Sequence, residues 1–273
     1  MFNFHQYIFL TLIGASIGSF LNVIRFRYPR KISILKPRSF CPNCKNKIPF
    51  YFNIPILAWI FLRGKCFFCQ NKISISYPFI EFITAALFVL NSFFSGSLSS
   101  IYSLNLIGLN IFAVILLISS IIDFDNMIIP NEVILIGSIS GFIFNLISLD
   151  FFGNESFFNV LYQFVILSLL GAISIEFLNF LISLLIKKDA FGFGDIKFLF
   201  LIGCWLGFKG IYLTLLLSLY IGGLFTIILI IFKRISKKGK IPFGPYLSIS
   251  AYIVGIVGSN NISTILKKIY SLG

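Results

Sequence analysis

The sequence predicts an all-α polytopic membrane protein of about eight transmembrane helices, with a small cytoplasmic four-cysteine module between the first two. Three observations carry this. Hydrophobic residues make up 58% of the 273 residues and charged residues only 11%, where a soluble domain carries about 25% charged. Apolar runs of bilayer-crossing length recur along most of the chain. The charge is also lopsided, with 22 Lys and Arg against 9 Asp and Glu. Eleven of the basic residues fall between Arg25 and Lys72, with no acid among them. Such a composition argues against a water-soluble enzyme. With 35 Phe and 11 Tyr it also excludes a solvated disordered chain.

The spans follow in order. A crossing helix needs roughly 20 mostly apolar residues, and the runs that qualify are about 4–24, 79–97, 101–122, 131–149, 158–186, 193–208, 211–232 and 243–258. The run 193–208 is short for a full crossing. The first run lacks a basic start and its basic residues follow it, so it reads as a span rather than a cleaved signal. Within it, Gly14 and Gly18 form a small-xxx-small pair that suits close helix packing.

Loop charge orients the bundle. The basic loop 25–78 and the segments 187–192 and 233–240 belong in the cytoplasm by the positive-inside rule. Parity then places 123–130 there and both termini outside, with Lys209, Lys267 and Lys268 as exceptions. The basic balance reports topology, so nucleic acid is not an expected partner; the lipid bilayer is. Loop 25–78 also holds an apolar stretch, Ile54–Leu62, suited to an interface.

Inside that loop, Cys41-Pro-Asn-Cys44 and Cys66-Phe-Phe-Cys69 are two CxxC pairs. Each can form a knuckle aiming two thiolates at one point, and two knuckles complete a tetrahedral four-thiolate zinc site. Lys and Arg around the pairs favour the thiolate form. Disulfide exchange and unliganded cysteines are the other readings, the first opposed by a reducing cytosol. Cys204, in an apolar run, reads as a core residue.

Acids inside spans are costly and mark functional candidates. Asp123 ends an apolar run, with Asp125 two residues on and Pro130 beyond. Asp195 closes Phe191-Gly192-Phe193-Gly194-Asp195 and precedes Lys197. Gly192 and Gly194 permit close backbone approach beside the acid. Two carboxylates sharing a site favour one protonated and one ionised member. Such a pair can activate water and protonate a leaving amine. The same residues also fit helix caps or an ion-coupling pair. Glu176 lies mid-span and reads as a bundle residue, and Glu81 as a cap or a contact to the module. Ser19 has no histidine partner apart from His5 near the far end of its span, which argues against a serine–histidine hydrolase.

Taken in order, several motifs coincide: Gly18-Ser19-Phe20-Leu21-Asn22-Val23, Arg27-Tyr28-Pro29, the two cysteine pairs, Asn53-Ile54-Pro55-Ile56-Leu57, Leu62-Arg63-Gly64-Lys65, Tyr77-Pro78 with Glu81, Asp123-Phe-Asp125 with Ile129-Pro130-Asn131, and the segment Gly192 to Lys197. Over essentially the whole chain this resembles the bacterial type IV prepilin leader peptidases, membrane aspartic peptidases of the GxGD type. The resemblance implies an enzyme of the bacterial cytoplasmic (inner) membrane, multi-pass, with its active site facing the cytoplasm. It implies cleavage of the basic leader of prepilins or pseudopilins after Gly. It also implies N-methylation of the new N-terminal residue with S-adenosylmethionine, although no phosphate loop or other self-evident cofactor pocket is visible in the sequence. Asp123 and Asp195 become the catalytic pair, Asp123 because the family's first aspartate stands seven residues before the proline. Gly192, Gly194, Lys197, Asp125 and Pro130 become supporting residues, and Cys41, Cys44, Cys66 and Cys69 the structural zinc ligands. Asn131 and Tyr28 depart from the usual Asp and Leu, outside the dyad.

The implied organisation is a first transmembrane helix at 1–24, a zinc-binding, methyltransferase-associated module at 25–78 and a transmembrane peptidase bundle at 79–273. Because both the leader and loop 25–78 are basic, acids near the dyad, Asp125 or Asp189, are expected to receive the leader. The rival from another class is a proton- or ion-coupled transporter using Asp123, Asp195 and Glu176, which would want acids near the midplane in repeated halves. A non-enzymatic assembly scaffold is the third reading.

Overall fold

The computed structural model describes residues 4–95, 104–153, 157–187, 191–232 and 241–258. Among them the regular structure is helical: α1 (Phe4–Arg27), α2 (Leu57–Phe61), α3 (Ser76–Phe94), α4 (Leu104–Asn126), α5 (Asn131–Gly153), α6 (Phe157–Leu161), α7 (Leu167–Ile186), α8 (Phe193–Ile231) and α9 (Gly244–Val257), with a single π turn at Tyr162–Ile166 joining α6 to α7. Six helical stretches are long and apolar enough to cross a membrane, and Gly244–Val257 is a shorter apolar helix. The chain is a multi-pass helical membrane protein by this pattern. Asp189, Lys267, Lys268 and the basic segment 233–240, all named above, lie outside the described residues.

The chain divides into two compact units, Met1–Asn110 and Ile111–Gly273. In the first, α1 packs on α3 through the predicted glycine pair. A Cβ at Gly14 would stand 2.7 Å from the Ala85 Cα, and one at Gly18 would stand 2.7 Å from the Glu81 Cα. Any side chain there would therefore push two backbones apart, which is why small residues occur at these positions. Pro78 falls in the first turn of α3, where a missing N–H costs nothing. Farther along, the Asn91 amide donates to Asn110 Oδ1 at 2.8 Å, satisfying two buried polar groups with each other.

The second unit is built around α8. Its buried side chains Phe198, Leu199, Leu201, Ile202 and Trp205 meet Phe112, Ile115, Leu116, Ile134, Ile175 and Leu247 in one core. The Trp205 ring stacks between Phe112 and Phe144 and its Nε1 donates to Gly137 O at 2.9 Å. The sequence predicts two segments at 193–208 and 211–232. The structure carries both as one 39-residue helix broken at Gly207, where φ is +72° and ψ −179°. That φ suits glycine alone. A break orphans the carbonyls of the preceding turn, and an orphan in an apolar bundle must find a partner. Asn145 of α5 supplies it, its Nδ2 reaching Cys204 O at 3.0 Å and Trp205 O at 3.2 Å.

Candidate active site and metal centre

In the unit Ile111–Gly273, Asp123 lies in the last turn of α4, and the chain there turns at Met127 (φ +54°). Asp195 lies in the first turn of α8, whose start is set by Gly192. Both carboxylates line one cavity of about 980 Å³.

Each acid is fixed by one backbone donor, and both bonds fall on Oδ2. Gly244 N donates to Asp123 at 2.8 Å. Gly192 N donates to Asp195 at 3.1 Å, so Asp195 reaches back to cap its own helix. The cap reading of Asp195 is therefore geometrically correct, and it coexists with a place on the cavity wall. Asp123 is only 5% exposed, and its neighbour leaves no slack: a Cβ on Gly244 would stand 2.7 Å from its Oδ2.

The supporting residues separate into two groups. Gly192, Gly194 and Lys197 line the cavity. Lys197 Nζ donates to Asn131 Oδ1 at 3.0 Å and sits 4.4 Å over the Phe193 ring. Asn131, the departure from the usual Asp, is thus the partner of Lys197 on the same wall. Asp125 is exposed and is not among the residues that line the cavity. Pro130 is buried and its carbonyl accepts from Ile134, opening α5.

Sequence reasoning missed Asn179 and Gly244, and it read Glu176 as a bundle residue. Asn179 of α7 grips the backbone before the GxGD segment from both sides: Phe191 N donates to its Oδ1 at 3.0 Å and its Nδ2 donates to Phe191 O at 3.1 Å. Glu176, one turn earlier and 3.5 Å from the Asn179 amide, lines the cavity with the two aspartates. Gly244 completes the set. The i, i+3 spacing of Glu176 and Asn179 was a usable signal, and nothing local marked Gly244.

In the unit Met1–Asn110 the four cysteines come together. The Cys41, Cys44, Cys66 and Cys69 sulfurs all lie within 4.8 Å of one another, with Cys41 and Cys69 at 3.9 Å. Two similar knuckles build the cluster. In the first, Cys41 N donates to Asn46 O and Lys45 N to Cys41 O. In the second, Cys66 N donates to Asn71 O and Gln70 N to Cys66 O. The turn residues Lys45 and Gln70 both take φ +58°.

The cluster's charge is uneven. The Asn71 backbone N–H, helped by Cys66, Asn43 and Cys44 and opposed by desolvation, holds the Cys69 thiol down at about 6. On Cys44 the Asn46 N–H pulls down, but desolvation and hydrogen bonds with Cys41, Cys69 and Cys66 push it up to about 11. Four sulfurs at these separations form a cage for one metal ion.

A polytopic helical protein with paired acids on one cavity and a four-thiol metal cage in a separate unit is the class these sites define. Family comparisons narrow it. The model of the bacterial peptidase A24 N-terminal domain matches residues 12–94, and that of the type IV leader peptidase family matches residues 110–227. A protein of Aeromonas salmonicida named prepilin leader peptidase/N-methyltransferase is 31% identical, covering 93% of both chains. A protein of the same name from Neisseria gonorrhoeae is 32% identical over 89% of this chain and 87% of its own. Another from Klebsiella pneumoniae is 34% identical over 77% of this chain and 89% of its own. No solved structure matches significantly. The chain belongs to the type IV leader peptidase family.

Proposed function

We propose that this chain is a prepilin peptidase of the bacterial inner membrane, cleaving the basic leader of prepilins or pseudopilins after Gly on the cytoplasmic side, and that it also methylates the new N-terminal amine. The single observation that carries the peptidase reading is the delivery of Asp123 and Asp195, from different helices, to one cavity. In this reading one carboxylate is ionised and draws a proton from water, which attacks the carbonyl carbon of the scissile bond. The other is protonated and gives its proton to the departing nitrogen as the C–N bond breaks. The backbone bonds to Oδ2 leave Oδ1 of each acid for the water and the leaving group. Lys197, braced by Asn131, lies on the same wall.

The metal is read as structural zinc. A tetrahedron of Zn–S bonds of about 2.3 Å has edges of about 3.8 Å, close to the 3.9 Å between Cys41 and Cys69. S-adenosylmethionine supplies the methyl group of the second activity. The basic leader is assigned to the acids near the dyad, Glu176 on the cavity wall together with Asp125 and Asp189. The peptidase bundle is 79–273 and the zinc-binding module 25–78.

The test is co-expression with a prepilin whose basic leader ends in Gly-Phe, read by intact mass. Wild type should remove the leader and add the mass of one methyl group, while Asp123→Asn and Asp195→Asn leave the precursor whole. Cleavage that survives Asp195→Asn would overturn the dyad. Two unrelated prepilins left intact by well-expressed wild type would favour the ion-coupled transporter.

A further inference from the structure

Each acid of the pair is held by one backbone N–H, and each of those groups belongs to the residue directly after a phenylalanine. Gly192 follows Phe191 and holds Asp195. Gly244 follows Phe243 and holds Asp123. The two phenylalanine rings pack on each other, with centroids 5.6 Å apart and planes tilted by 51°. Phe243 is the residue that opens α9, and Gly192 the one that opens α8. The ring pair therefore pins two helix starts, and two dyad donors, from segments far apart in the chain.

Both rings are anchored in turn. The Asn179 amide clamps the Phe191 backbone at two points, accepting from its N–H and donating to its carbonyl. Two bonds from one planar amide fix rotation as well as distance. Asn179 is itself only 6% exposed. On the other side, the Phe243 ring lies 6.4 Å from that of Tyr246, which lies 5.8 Å from that of Phe225 in α8. Gly222 of α8 keeps the face beneath them clear: a Cβ there would stand 3.2 Å from the Tyr246 ring and 3.7 Å from the Phe243 ring. Asn179, Phe191 and Phe243 all line the acid cavity.

We propose that Asn179, Phe191 and Phe243 form a clasp that sets the distance and aim of Asp123 and Asp195, and so are positioning residues for peptide cleavage. The inference rests on the peptidase reading above and gives the dyad its preorganisation. Asn179 orients the Phe191 peptide, and the next N–H holds Asp195. The Phe191 ring seats Phe243, and the N–H after it holds Asp123. Two acids that share one water molecule must keep a fixed separation, and a misplacement of about 1 Å costs about a hundredfold in rate. The three residues act through the carboxylates, so loosening them should slow the chemical step while leaving substrate affinity in place.

The full-length protein in detergent, metal-loaded, is the material for the test, with a prepilin whose basic leader ends in Gly-Phe as substrate. Values of kcat are expressed per folded protein, counted by gel filtration. Asn179→Ala, Phe191→Ala and Phe243→Ala should each lower kcat by about 10- to 100-fold, as expected for sub-ångström to ångström misplacement, with KM within about threefold of wild type. The variant carrying both Phe→Ala changes should lose no more than the worse of the two singles, because rings that act through each other are not additive. Phe243→Leu keeps an apolar side chain without the ring and covers the case in which Phe243→Ala fails to fold; it should still lose kcat about tenfold. If Asp195→Asn abolishes cleavage while the clasp variants keep wild-type kcat per folded protein, the three residues are merely structural and the clasp alone falls. A loss confined to KM would make them substrate contacts and overturn the positioning role, and multiplicative losses in the double variant would overturn the link between the rings. If Asp195→Asn still cleaves, or wild type cleaves no prepilin, the peptidase reading falls and the clasp with it.

Discussion

Among the described residues, no contact requires glycine at the two positions beside Asp195. Gly192 has φ −74° and ψ 149°, open to any residue. A Cβ on Gly194 would stand 3.8 Å from Ile129 and one on Gly192 3.4 Å from Asp195 Oδ2, both ordinary contacts. A substrate backbone approaching the acid would meet any side chain placed there. Gly194→Ala should therefore leave the melting temperature unchanged or slightly raised, because Ala is the better helix former by up to about 1 kcal/mol. It should still lower kcat/KM for prepilin cleavage about tenfold or more. Gly244 is the opposite case. There Ala would drive a methyl against the Asp123 carboxylate, so Gly244→Ala should cut kcat itself, with methylation of a pre-cleaved pilin retained. Glu176 offers a third measurement. Glu176→Gln should slow cleavage of a basic leader several-fold more than that of a neutral one; an equal loss for both would return Glu176 to a purely structural role beside Asn179.

At the scale of elements, the apolar runs placed the helices because burial in lipid needs nothing but length and hydropathy. The cysteine knuckles were legible for a similar reason, since CxxC spacing fixes where two sulfurs point. Asn145, Asn179 and Gly244 were not legible. Their meaning lies in partners far along the chain, and an Asn in an apolar helix carries no mark of which carbonyl it will reach. The junction between the segments 193–208 and 211–232 was visible only as a gap between two runs. In the folded chain it is a break at Gly207 inside one helix, made tolerable by the Asn145 amide. Asn145→Leu would leave the Cys204 and Trp205 carbonyls without that donor. About 1–3 kcal/mol is expected for orphaned buried acceptors. Thermal unfolding in detergent should register the loss, and hydrogen exchange should rise on the turn before Gly207 ahead of the rest of α8.

At the scale of the molecule, the sites divide between the two units. The acid pair belongs to Ile111–Gly273 and the thiol cage to Met1–Asn110. The knuckles are too small to hold themselves together: their regular structure is two isolated bridges, Phe40 with Lys47 and Lys65 with Lys72. A metal shared by four thiolates would then be the main source of folding energy for the module. Cys41 and Cys66 also line the cavity of about 460 Å³ in that unit, so loss of a bound metal would disturb its wall. The acid cavity draws no wall residue from that unit. Stripping the metal with a thiol-competitive chelator, or making Cys44→Ser, should therefore separate the two activities. The pilin should emerge with its leader removed and its N-terminal amine unmethylated, one methyl group lighter by intact mass. Binding of S-adenosylmethionine should fall in parallel with metal content, and restoring zinc to the chelated protein should restore both. Equal loss of cleavage and methylation, at equal protein levels, would mean that the acid site depends on the metal module and that the division into two independent sites is wrong.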